Sequence, residues 1–200
     1  MPQNIKNVIM MHNPKVAGSY LMKLLNSNKV RYHRSSHDNV YAVKKILGPV
    51  KWDRAFKFSF VRNPWDRVAS WYFFHTRLFD KMDFPGFVDL ICNGKLNDIQ
   101  EAVMFTNRPF WMHSVKKGMV NPLYQHQYTD GVDFIGKYEN IEIDTVKLMK
   151  KIGFSDYKDI APVNVSPHKK KGYHQYYTDK MKNMISVTFK EDITEYKYEF

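Results

Sequence analysis

Two rhythms alternate along this chain. Short apolar or β-branched runs bounded by polar turns mark strands, and apolar residues three and four apart mark helices. Ile5 to Met11 is such a run and predicts a buried strand. Gly18 to Leu25 follows, with Leu21, Leu24 and Leu25 at helical spacing. Residues 26–37 are polar and irregular, rich in Asn, Ser, His and Arg. Asn39 to Leu47 predicts a short helix stopped by Gly48-Pro49. Ala55 to Val61 predicts a second strand. Pro64 stands where a first-turn proline belongs, with Asn63 as N-cap, and the helix runs on through Val68, Trp71 and Tyr72. The stretch from Phe84 to Met112 is helical in pattern. Asp133 to Tyr138 predicts a third strand, and Asn140 to Ile152 an amphipathic helix ended by Gly153. Residues 155–176 read as a loop, Thr178 to Phe189 as a helix, and Asp192 to Tyr196 as a shorter one. This alternation predicts an α/β fold with a central, mainly parallel sheet flanked by helices.

Composition narrows the partners. A chain of 200 residues that is 44% hydrophobic can build one core, and a single domain is expected. Aromatics at 16% argue against global disorder. A formal net charge of +11 favours anionic partners: nucleotides, sulfated or phosphorylated molecules, nucleic acid or acidic membrane surfaces. Cys92 is the one cysteine, which excludes an intrachain disulfide and a CxxC metal site. The eight histidines are scattered without ligand spacing, so no metal is expected. No apolar stretch approaches the roughly 18–20 residues that span a bilayer, and no signal-peptide pattern is visible. A cytoplasmic location is the expectation, with removal of a targeting segment as the alternative.

The chemistry concentrates in two strand-to-helix turns. The first is His12-Asn13-Pro14-Lys15-Val16-Ala17-Gly18-Ser19-Tyr20-Leu21. The second is Phe60-Val61-Arg62-Asn63-Pro64-Trp65-Asp66-Arg67, followed by Ser70. Such a turn offers free backbone N–H groups and the positive end of a helix dipole, which suit an anion. Lys15 adds a point charge, Ala17 and Gly18 allow close backbone approach, and Ser19 offers a hydroxyl. An ordinary βα loop with an exposed lysine is the competing reading. A kinase-type P-loop places Gly-Lys-Ser/Thr in that order, whereas here the lysine precedes the glycine, which argues against ATP or GTP hydrolysis. Arg62 can grip a phosphate as a bidentate fork, and Ser70 lies about two helical turns onward. Surface charge pairing among Arg62, Asp66 and Arg67 is the alternative.

Lys15-Val16-Ala17-Gly18-Ser19, and Arg62-Asn63-Pro64-Trp65-Asp66-Arg67 with Ser70 and Tyr72, resemble the two nucleotide-binding signatures of the sulfotransferases. The closest similarity is to the carbohydrate-type family. Ser36-His37, Phe134 to Asn140, Pro162 to Ser166 and the ending from Tyr176 onward continue the resemblance, in order, over nearly the whole chain. It implies a P-loop-like three-layer fold over residues 1–200 and 3′-phosphoadenosine 5′-phosphosulfate as donor. Lys15, Ala17, Gly18, Ser19 and Tyr20 would then form the 5′-phosphosulfate loop, although the family usually carries Ser or Thr where Tyr20 stands. Arg62 and Ser70 would hold the 3′-phosphate. His37 falls where the family has its catalytic histidine and is the candidate base, while Lys15 would stabilise the leaving phosphate. His33 is the reserve base, and His12 reads as structural. Lys171 and Gly172, in the run His168 to Tyr173, would close over the nucleotide or simply form a solvated basic loop. The implied acceptor is a carbohydrate hydroxyl, met by residues 75–130, with Arg77, Arg108, Trp111, His113 and Gln127 as candidates. A catalytically inactive sulfotransferase fold and a basic polyanion binder are the alternatives. No nucleic-acid module is recognisable, and no nucleic-acid partner is expected.

Overall fold

The first strand, β1 (Val8–Met11), buries all four of its side chains, as a strand covered on both faces must. In the computed structural model the described residues are 7–35, 37–75, 82–95, 123–161 and 172–200. They fall into two compact units, residues 1–61 with 125–164 and residues 62–124 with 165–200.

The first unit is the sheet unit. Four strands, β1, β2 (Tyr32–Arg34), β3 (Phe56–Val61) and β4 (Phe134–Lys137), lie in the order β2-β1-β3-β4. All three pairings are parallel. Val8 and Met10 pack with Leu21, Leu24 and Leu25 of α1 (Gly18–Ser27) and with Leu148 and Met149 of the helix Ile141–Lys151. Ile9 and Met11 face the other way, onto Val40 and Val43 of α2 (Val40–Leu47) and Trp52 of α3 (Pro49–Asp53). The strand's twofold side-chain period therefore feeds two layers of core. Leu24 and Leu25 are fully buried, each contributing about 1.5–3 kcal/mol of apolar burial.

The polar stretch 26–37 differs from expectation, because Tyr32–Arg34 pairs with β1 and forms the outermost strand. Three half-buried or exposed residues carry no apolar signal, so hydropathy does not reveal them. Asn39 caps α2 by accepting from Ala42 N–H at 2.9 Å. Pro49 follows Gly48 but opens α3 at its first turn, which suits its fixed φ.

The second unit is helical in its described residues. It comprises α4 (Pro64–His75), α5 (Phe84–Asn93), and, after the α6 helix Ile141–Lys151 of the sheet unit, α7 (Asp179–Thr188) and α8 (Lys190–Tyr196). Trp65, Val68, Ala69 and Trp71 of α4, Phe87, Val88 and Ile91 of α5, and Ile185 of α7 are buried. The expected helix beyond Lys95 lies outside the described residues. Among the described residues no helix is long and apolar enough to cross a membrane.

Candidate active site

The strand order gives the sheet a preferred edge for ligands. After β1 the chain moves outward to β2, and after β3 it moves the other way to β4. The carboxyl ends of β1 and β3, adjacent in register at Met11 and Ser59, thus bound a topological switch point, where α/β sheets bind ligands. Asn13, fully buried, fastens this end: its Nδ2 donates to Phe60 O at 2.9 Å and to Gln125 Oε1 at 3.3 Å. Ser59 Oγ donates to Met11 O at 3.1 Å. Neither Asn13 nor Gln125 announces itself in the sequence, because a structural amide has no motif.

The loop after β1 is held in a costly backbone conformation. Lys15 (φ 65°) and Ala17 (φ 66°) are both left-handed although neither is glycine. For a residue with a Cβ this costs about 1–2 kcal/mol each, and such strain persists where the surrounding structure enforces it, often at functional sites. Ala17 occupies the N-cap position of α1 yet offers no side-chain cap, and the first helical turn carries no acidic residue. The first intrahelical bond is donated by Leu21 N–H to Ala17 O, so the N–H groups of Gly18, Ser19 and Tyr20 head the helix without intrahelical acceptors. This is the geometry of an anion cradle. Of Tyr20, only the backbone N–H lies at the helix head. Its ring is buried in the core beside Leu24, and its hydroxyl reaches Asp159 Oδ1 at 3.4 Å.

His37 stands beyond β2 on the same unit, also left-handed (φ 63°). Its Nδ1 is 2.8 Å from His12 O. A carbonyl only accepts, so Nδ1 carries the proton and Nε2 of the neutral ring keeps its lone pair. Tyr128 Oη donates to His37 O at 3.2 Å. The His12 and His37 rings lie 4.0 Å apart with a 30° tilt. Burial, followed by the neighbouring His37 and Arg34, holds the His12 imidazole well below its usual range. His33, by contrast, lies within β2, exposed and opposite Ile9.

At the second turn, Arg62 follows Val61 directly at the end of β3. It is buried, and its Nε donates to Asp66 Oδ2 at 2.7 Å. The pairing with Asp66 raised as the alternative thus exists, but it is interior rather than superficial. Asn63 Oδ1 accepts from Trp65 N–H at 3.1 Å, capping α4 as the sequence predicts. Arg67 is fully buried, donates to Leu123 O and lies 4.3 Å from the Trp71 ring centroid. Ser70 is buried on α4. Gly172 takes a left-handed φ of 72°. Lys171, Arg77, Arg108, Trp111 and His113 lie outside the described residues, whereas Gln127 is half-buried with an Oε1 that makes no hydrogen bond.

The chain is 33% identical over 120 residues to an uncharacterized protein of Archaeoglobus fulgidus, a match covering 60% of this chain and 86% of that one. The profile of the sulfotransferase family matches residues 3–199, which takes in the β1 loop, His37, the Arg62 turn and all four parallel strands. With that coverage and an all-parallel α/β sheet of P-loop-like kind, the chain belongs to the sulfotransferase family.

Proposed function

We propose that this protein transfers a sulfuryl group from 3′-phosphoadenosine 5′-phosphosulfate to a carbohydrate hydroxyl. The observation that carries the reading is the strained cradle after β1: two left-handed non-glycine residues, Lys15 and Ala17, ahead of an uncapped helix. Those features fit the 5′-phosphosulfate end of the donor. The N–H groups of Gly18, Ser19 and Tyr20 and the Lys15 ammonium bind and orient it, and Arg62 and Ser70 serve the 3′-phosphate. Lys171 and Gly172 close over the nucleotide.

The chemistry needs positioning and charge stabilisation more than covalent help. His37 Nε2, free of the proton fixed on Nδ1, takes the proton of the acceptor hydroxyl. The acceptor oxygen forms a bond to sulfur as the bond from sulfur to the bridging phosphate oxygen breaks. Lys15 meets the negative charge that develops on the departing phosphate. The products are a sulfate ester and 3′,5′-ADP, and no redox change occurs.

The test is a thermal-shift titration with 3′,5′-ADP on the wild type and Lys15→Ala, followed by transfer of labelled sulfate to carbohydrate acceptors. Alanine keeps the Cβ and hence the strain at position 15, so the comparison isolates the charge. Arg62→Ala would be a poorer probe, since it strips Asp66 of a buried partner. The proposal expects a concentration-dependent shift in the wild type that is reduced in Lys15→Ala. No shift at millimolar ligand would instead favour the polyanion-binding reading.

A further inference from the structure

His12 costs the fold something that packing does not return. It is 6% exposed, and its Nδ1 is buried without a hydrogen bond. A buried, unsatisfied polar atom costs about 1–3 kcal/mol, which an apolar side chain would avoid. Yet every other part of His12 is engaged with the site. Its N–H donates to Ser35 Oγ at 2.7 Å, two residues before His37. Its carbonyl holds His37 Nδ1. Its ring lies 4.0 Å from the His37 ring, tilted by 30°. Its Nε2 edge lies against Gly18, so closely that a Cβ on Gly18 would fall on the imidazole.

We propose that His12 is the positioning residue of this site, fixing the orientation and tautomer of His37 and tying it to the anion-binding loop through Gly18. The proposal rests on the reading of His37 as the base. One imidazole face clamps His37 while the ring edge abuts the head of α1, so base and cradle keep one spacing. A side chain of this kind acts through His37 and need not touch substrate.

The experiment has an arm that does not depend on activity. Long-range proton–nitrogen correlation spectra of the wild type, with His37 assigned by comparison with His37→Gln, read which ring nitrogen carries the proton. The expected result is Nδ1–H on His37; Nε2–H would overturn the proposal outright. In His12→Ala the carbonyl remains and Nδ1–H should persist, but the His37 ring loses the neighbour that holds its orientation. The variant's kcat should fall about tenfold or more, as when the orienting partner of a functional histidine is removed, with donor KM within about twofold. A folded His12→Ala that retains kcat would overturn the proposal. Should His12→Ala not fold, His12→Leu, which fills the buried space without a ring, takes its place in the same kcat and KM test. A wild type with Nδ1–H on His37 but no sulfuryl transfer would sink the proposed function and leave the positioning geometry standing.

Discussion

Gly18→Ala sets local propensity directly against packing. Gly18 opens α1, and it is not among the left-handed glycines. By helix propensity alone, alanine there should stabilise by up to about 1 kcal/mol. The structure predicts the opposite sign, because the new methyl would occupy the space of the His12 ring. That ring is buried and backed by His37 at 4.0 Å, so it has nowhere to retreat. Overpacking of this kind costs about 1–3 kcal/mol, for a net loss of about 1–2 kcal/mol. For a chain of this size that corresponds to a fall in Tm of roughly 2–8 °C. Thermal unfolding followed by circular dichroism measures it. The same substitution in a His12→Ala background should cost little, giving a coupling of about 1–2 kcal/mol. A Gly18→Ala protein as stable as wild type, or a cycle with no coupling, would refute the packing described here.

His12 also sets a pH dependence. Its folded-state pKa is depressed by burial, His37 and Arg34, so the unfolded chain binds a proton that the folded chain refuses. Its contribution is intact above about pH 6.5 and is lost as pH falls toward the depressed value, at up to about 1.4 kcal/mol per pH unit. Urea titrations between pH 7.5 and 5 should show a shallower slope in His12→Phe, and parallel slopes would contradict the assignment. Tyr20→Phe should leave 3′,5′-ADP affinity unchanged within twofold, because the hydroxyl is directed at Asp159; calorimetry showing a tenfold loss would return that side chain to the donor site. Asp133→Ala removes both the 3.0 Å partner of buried Lys57 and the acceptor of its N–H. It should cost about 2–3 kcal/mol in chemical denaturation, and a loss under about 0.5 kcal/mol would discount that ion pair. Tyr177→Phe deletes a 2.8 Å hydrogen bond to Trp65 O from a buried hydroxyl. A loss of about 1 kcal/mol is expected, and an unchanged denaturation midpoint would speak against that bond.

What the sequence made legible follows from how local each signal is. β1 stands out because a strand buried on both faces is apolar at every position, as Val8–Met11 illustrates, and β3 and β4 stand out by the Phe, Ile and Val that recur between their polar positions. Asn39, Asn63 and Thr178 were readable as helix starts because capping is a local bond, and Thr178 Oγ1 does accept from Met181 N–H. β2 was hidden because Tyr32, His33 and Arg34 join the sheet through backbone bonds to β1, leaving polar side chains outward. The residue types of the turn after β1 suggest an anion site, but its strain at Lys15 and Ala17 is hidden in the sequence, since nothing in those letters demands a positive φ. The contacts of His12 were hidden for a related reason. Its bonds run to Ser35 and His37, more than twenty residues away, and only the fold brings them together. Arg62 was weighed as a surface charge, and burial alone separates that reading from an interior one.

The modest β2 has a consequence for how copies of this protein behave toward one another. A sheet's outermost strand presents unpaired N–H and C=O groups on which another chain can build. Here that rim is three residues long, with His33 and Arg34 exposed and the exposed Arg31 just before it. It is too short to template a foreign strand, and two such rims brought together would repel on a chain already carrying +11. The polarity that concealed this strand from hydropathy thus guards this edge of the sheet against edge-to-edge aggregation, and replacing His33 and Arg34 with valine would open that route.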